Sequence, residues 1–310
     1  MSGSARTDAP NIEVRAGGAG APAVARHESL TRIAVRRFLR HRLAIVGSVI
    51  LGVIVLVAAL APVFASADPA LIDLRLVRAP PGPGHPLGGD VSGRDAWSRL
   101  VYGARTSLIV GFGAVGLYVA IGTVLGVVAG YLGGAADQLI MRFTDTVLSI
   151  PTLLLVIVFV SIVGPSLGSV IAVIGLLGWP ATCRLVRGQL LTLREAEFIT
   201  AARVVGVSDR RIVATHLVPN ILGQLTVVAT FGVASAILLE ASLSFLGLGV
   251  KPPTSSLGEM INAARSPTIL QNFVNLWLPP GLVIALTVLA VNFVGDGLRD
   301  ALDPRSARDV

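Results

Sequence analysis

The sequence predicts an all-α membrane protein with six transmembrane helices, and three observations carry that prediction. Of 310 residues, 53% are hydrophobic and only 14% charged, whereas a soluble domain averages about 25% charged. Mean hydropathy is +0.78, and six stretches come close to or exceed the roughly 20 apolar residues of a spanning helix: about 43–65, 107–131, 140–164, 167–185, 221–246 and 276–298. The cationic residues also alternate between the connections. Residues 26–42 carry six arginines, 184–216 six and 299–310 three, against four in 66–104 and two cations in 249–275. Fifteen against six places both termini and the 184–216 connection in the cytoplasm. The net charge of +7 is therefore a topology signal, and nucleic acid is not expected as a partner.

Along the chain, residues 1–25 are rich in Ala, Gly and Pro and read as a disordered cytoplasmic tail. Residues 26–42 place Leu30, Ile33, Ala34 and Phe38 on one stripe and Arg32, Arg36, Arg37 and Arg40 elsewhere. That is the pattern of a basic amphipathic helix lying on an anionic leaflet of the bilayer. The first span, 43–65, ends near Ala65-Ser66-Ala67, which has the form of a signal cleavage site, but its polar approach and apolar run are both too long for a signal peptide. An uncleaved first span is expected. Residues 66–104 form the longest external loop, and APPGPGHPLGGDVSGRD within it breaks helices and strands alike. Residues 105–298 hold the remaining five spans, and 299–310 form a cytoplasmic tail.

Inside the membrane, Gly122, Gly126, Gly130 and Gly134 recur every fourth residue, so one helix face admits a close neighbour. Gly232 and Ala236 repeat the idea in the fifth span and are followed at the same spacing by Glu240 and Ser244. A carboxylate at depth is retained for a pathway, a partner or a structural hydrogen bond; a structural role is favoured for Glu240. Arg142 and Asp145, three residues apart near a helix end, are placed to pair with each other on the helix surface, and for them too a structural role is favoured over a place on the transport pathway.

Enzyme chemistry finds no support. The lone Cys183 forms no intrachain disulfide, and without a CxxC or Cys/His cluster neither a metal nor another cofactor is expected. Gly164-Pro165-Ser166-Leu167-Gly168 fits a nucleophile-elbow pattern, yet it lies in a turn between spans with only His216 to follow, predicted on the opposite side. A phosphate-binding loop needs Gly-Lys-Ser/Thr, and the only lysine is Lys251, in Gly-Val-Lys-Pro.

The connection 186–219 contains TAARVVGVSDRRIVATHLVPN at 200–220. LLTLREAEFITAARVV leads into it without Gly or Pro and is expected to be helical. Gly206 ends that helix. Ser208 suits the next N-cap, Asp209 the positive dipole end, and Val207 and Ile212 the staple positions. Pro219 marks the next break. Ala201 and Ala202 offer a shallow docking surface, ringed by Arg203, Arg210 and Arg211.

This segment resembles the cytoplasmic EAA loop of ABC importer permeases, with Ala201, Ala202 and Gly206 on the pattern and Val218-Pro219 standing for its Leu-Pro. HPLGGDVSGRDAWSRLVYGARTSL at 85–108, EASLSFLGLGVKPPTSSLGEM at 240–260 and GDGLRDALDPR at 295–305 resemble the C-type permease of dipeptide and oligopeptide importers. The resemblance implies the type I ABC importer permease fold, a multi-pass chain in a bacterial cytoplasmic (inner) membrane. It also implies a second homologous permease subunit, two cytoplasmic ATP-binding subunits, an extracytoplasmic substrate-binding protein and a peptide substrate. Relatives import glutathione, haem or nickel chelates through the same architecture. In one departure, Thr200 stands where the motif begins with Glu, and Glu197 lies one turn earlier on the same face. A stand-alone secondary transporter would show internal repeats and interrupted spans, neither of which is evident in the sequence.

Overall fold

The computed structural model describes residues 30–302; the tail read at 1–25 and residues 303–310 of the tail read at 299–310 lie outside them, while residues 299–302 belong to the last helix. The described residues form thirteen α-helices and no β-strand. Five helices are long and apolar enough to cross a membrane, or six if one bent pair counts as a span. The chain is a multi-pass, all-helical membrane protein.

A short α1 (Leu30–Phe38) leads into α2 (Arg42–Ala59), whose first turn is capped by His41 Nδ1 accepting from the Ala44 amide at 3.1 Å. Arg32, Arg36 and Arg40 of this region are exposed, while Phe38 packs on Gly297. Pro62 has no N–H to continue the α2 ladder, so a separate turn, α3 (Ala61–Phe64), follows a break at Leu60. The second span is longer than the sequence reading: α4 (Ala96–Leu132) has 37 residues and begins inside the stretch read as external loop. Asp95 sets its start by accepting from the Ser98 amide at 2.8 Å.

The third span departs most. It is two helices, α5 (Gly134–Leu148) and α6 (Thr152–Val163), bent by 87°. Pro151 forces the bend, because it lacks a donor and drives Ile150 out of helical geometry. The sequence reading of uninterrupted spans is thus corrected. α7 (Leu167–Leu193) carries Pro180 without breaking. The helix expected through LLTLREAEFITAARVV stops at Leu193 and resumes as α8 (Glu197–Val204). Arg194 turns back there to donate to the Gly130 carbonyl at 3.3 Å, and Ala196 is extended.

Pro219 does not end a helix. α9 (Asp209–Ile212) runs through a π turn at Val213–Leu217 into α10 (Val218–Phe245), a continuous 37-residue rod. The wide turn absorbs the missing proline donor and keeps its ring clear of the preceding carbonyl. Two short helices, α11 (Leu257–Asn262) and α12 (Pro267–Asn272), precede α13 (Val274–Leu302).

The most extensive helix pairing joins α4 to α7. A Cβ added at Gly122 would lie 2.6 Å from Thr182 Cβ, at Gly126 2.6 Å from Val186 Cβ, and at Gly130 2.8 Å from Leu190 Cβ. Gly134 does not continue this seam: its φ is +57°, with open space around it. Gly133 (φ +66°) has already turned the chain into α5. Gly232 admits the Tyr118 hydroxyl, which would lie 1.7 Å from an added Cβ, and Ala236 is 3% exposed beside it in the core.

Replacing Gly126 by leucine is expected to overpack the seam, at a cost of about 3 kcal/mol, because the Cys183 carbonyl that an added Cβ would meet at 2.7 Å cannot swing away. Gly52→Ala, in open space, should leave the thermal midpoint of the detergent-purified protein unchanged or raise it, while Gly126→Leu lowers it.

Candidate functional site

The arginine-rich end of the helix bundle carries an exposed two-helix surface on a small apolar base. α8 ends in a paired cap: the Gly206 amide donates to the Arg203 carbonyl at 2.9 Å and the Val207 amide to Ala202 at 3.0 Å. Gly206 has φ +85°, where a β-carbon is strained, so glycine suits the turn. Ser208 occupies the N-cap of α9 with extended backbone, without a side-chain capping bond. Ile199 and Ile212 point inward and are fully buried with Val186, Leu190, Leu217 and Ile221. The surface is therefore anchored to α7 and α10.

Its outer face holds Glu197, Thr200, Ala201, Arg203, Ser208, Asp209 and Arg210, all exposed, with Ala202 half-buried and Pro219 exposed at the start of α10. Glu197 and Thr200 lie one helical turn apart, as the sequence spacing requires. Val204 and Val205 are each 82% exposed and Phe198 44%. Val204, Val205 and Phe198 thus form an exposed apolar group on an anchored surface. The sequence reading missed these residues, although two valines directly before the helix-ending glycine were a signal once Ile199 and Ala202 had taken the inner face.

Tyr131 was missed as well. Its hydroxyl donates to Asp209, and the Arg203 guanidinium stands 5.9 Å from its ring centroid. One side chain of α4 thereby clasps both α8 and α9. Asp209 lies 78 residues away in sequence, so no local pattern announces the contact.

The intramembrane polar residues divide. Glu240 is fully buried, accepting from Ser107 at 3.0 Å and Ser244 at 2.7 Å, so it ties α10 to α4. Asp145 does not pair with Arg142: Arg184 reaches it from α7 at 2.6 Å. Asp137 is held to α7 in the same way, accepting from Arg187 Nη2 at 2.6 Å. Arg142 instead lines an open cleft of about 700 Å³ with Gln138, Asp145 and Arg187.

The family profile described as binding-protein-dependent transport system inner membrane component matches residues 122–308. The chain belongs to this family. A second profile, the N-terminal TM domain of oligopeptide transport permease C, matches residues 29–81. A Brucella ovis protein named as a peptide permease is 44% identical over 270 residues, covering 87% of this chain and 89% of that one. The dipeptide transport system permease protein DppC of Alkalihalophilus pseudofirmus is 42% identical over 274 residues, covering 88% and 90%. The protein is a transport permease and not an enzyme, and the stand-alone secondary transporter is set aside. Permeases of this family work with an ATPase and a binding protein.

At the opposite end of the permease, the two long connections are locked into one platform. Arg99, 2% exposed at the start of α4, pairs with Asp90 at 3.3 Å and with Glu259 of α11. Its carbonyl accepts from Ser255 at 2.9 Å. Asp95 accepts from Ser98, from Ser66 at 2.8 Å and contacts His85 Nδ1 at 2.9 Å. Burial pushes the Asp95 carboxyl up, but the bonds from Ser98, His85 and Ser66 outweigh it and hold it below the usual carboxylate range. A depressed folded-state value contributes stability that is present above the unfolded value, about 3.9, and lost as pH falls through the folded value. The melting-temperature gap between wild type and Asp95→Asn should be open at pH 6–7 and close as the solution is acidified below pH 4.

Proposed function

We propose that this permease is the C-type membrane subunit of an ATP-driven importer of dipeptides or oligopeptides in a bacterial cytoplasmic membrane, with both termini in the cytoplasm. The observation that carries this reading is the α8–α9 surface, where exposed Val204 and Val205 stand on a buried apolar base. The peptide specificity is supported by the relatives named above as peptide and dipeptide permeases. The arginine count supports the orientation.

In this scheme two ATP-binding subunits dock on the α8–α9 surfaces of this chain and of a second homologous permease. ATP binding closes the ATPase pair and carries these surfaces with it, and hydrolysis takes place on those partners. Ile199, Ile212 and Leu217 pass the displacement to α7 and α10, and Tyr131 passes it to α4. A substrate-binding protein docks on the opposite platform around Arg99 and releases peptide between the two permeases. The permease makes and breaks no covalent bond.

Co-purification tests the scheme. A Val204→Asp, Val205→Asp double variant should lose its ATPase subunits while keeping the wild-type melting temperature, because neither side chain packs inside. Glu197→Ala removes the charge proposed to substitute for the motif glutamate absent at Thr200. One surface ion pair is worth at most about 1 kcal/mol, so the ATPase stimulation should fall roughly fivefold. Unchanged stimulation would assign the contact elsewhere on the surface.

A further inference from the structure

α5 presents two different exposed faces. Gln138, Arg142, Asp145 and Ser149, spaced by four, three and four residues, form one polar stripe and are all exposed. Beside it, Leu139 and Phe143 are 74% and 59% exposed. Lipid accounts for the apolar face but not for the polar one, because charged side chains inside a bilayer turn toward protein or water. Phe143, beside the stripe, stacks on Trp179 with ring centroids 5.7 Å apart, and Trp179 lies about 18 Å along α7 from Leu167, within a hydrocarbon layer of about 30 Å; Arg184, the partner of Asp145, stands nearer the arginine-rich end. The stripe ends at the bend, where Ser149, Ile150 and Pro151 are exposed. Non-helical backbone at membrane depth occurs only against protein or along a water-filled cavity.

The charges say what belongs there. Asp145 is taken by Arg184, while Arg142 has no carboxylate partner among the described residues. Arg142 opens onto the cleft of about 700 Å³, within the range of sites for small molecules. An exposed guanidinium in an open cleft matches a carboxylate. Resting on the peptide-import reading, we infer that the polar face of α5 lines the peptide's route through the membrane and that Arg142 takes the substrate's terminal carboxylate as it passes. The Asp145–Arg184 pair holds α5 at the angle that presents it.

Two measurements on the assembled transporter test this. In proteoliposomes, Arg142→Gln should reduce ATP-driven uptake of a dipeptide with a free carboxylate about tenfold, leave uptake of its C-terminal amide at the wild-type rate, and leave ATPase stimulation by the loaded binding protein unchanged. Arg142→Lys should restore part of the loss. Equal loss for both peptides, or loss for neither, overturns the assignment. The second measurement uses the buried, single native cysteine, Cys183, replaced by alanine. In that background a charged, membrane-impermeant maleimide should label Gln138→Cys and Arg142→Cys but not Leu139→Cys. Absence of labelling at both polar positions, as expected of a face sealed against a second permease, overturns the water-lined route. Failure of the wild-type complex to import any peptide would remove the substrate class, and the labelling pattern would still decide whether the face is water-lined.

Discussion

The close approach of α4 and α7 is the constraint on which the other contacts depend. Three glycines on α4 let the two backbones come together, and a membrane offers little other driving force between apolar helices than contact of this kind. From the pair outward, each element has a defined neighbour. Arg187 and Arg184 of α7 hold α5 through Asp137 and Asp145, and Tyr118 of α4 receives α10 at Gly232. Beyond Gly130 the same two helices reach Tyr131 and Leu190, the floor of the α8–α9 surface. The seam therefore sets the geometry of the surface proposed to meet the ATPase as well as the stability of the bundle.

The two ends of the bundle are fastened by different chemistry. At the arginine-rich end aliphatic burial dominates, with Ile199, Ile212 and Leu217 filling a separate core. At the opposite end a smaller apolar cluster of Ala96, Ile269 and Leu276, with Leu87 and Phe273 against it, is joined by charge pairs and capping. There burial pushes the Glu259 carboxyl up, against the pull of Arg99. Hydrophobic contact tolerates sliding; an Arg–carboxylate pair fixes direction. The proposed scheme, in which an ATPase drives the arginine-rich end, would use that difference: one end free to shift and the other held.

Much of this was legible in the sequence because short-range periodicity wrote it there. Gly122, Gly126 and Gly130 announced the seam by spacing alone, and Gly206 announced its turn by being the residue that takes a positive φ at least cost. Errors arose where a local rule was overridden at a distance. Gly134 kept the four-residue spacing, yet Gly133 had already ended the helix. Pro219 looked like a stop, and a π turn carried the helix past it. Pro151 was the opposite case: the signal for a bend was present, and the hydropathy of the surrounding run concealed it. The contacts of Tyr131 with Asp209, and of Arg99 with Glu259 across 160 residues, belong to the folded topology and have no local signature.

The continuous rod from Asp209 to Phe245 has a mechanical consequence. At 1.5 Å per residue its 37 residues extend about 55 Å, about 10 Å more than the depth of the bilayer with its headgroups. A hinge at Pro219 would have dissipated a displacement applied at Asp209 into local bending. Without one, a tilt of about 5° at one end moves the other by about 5 Å, close to the width of an extended peptide backbone. The lever arm comes from helix length, so in the proposed scheme a small rearrangement at the α8–α9 end would be felt at the far end with no local unfolding.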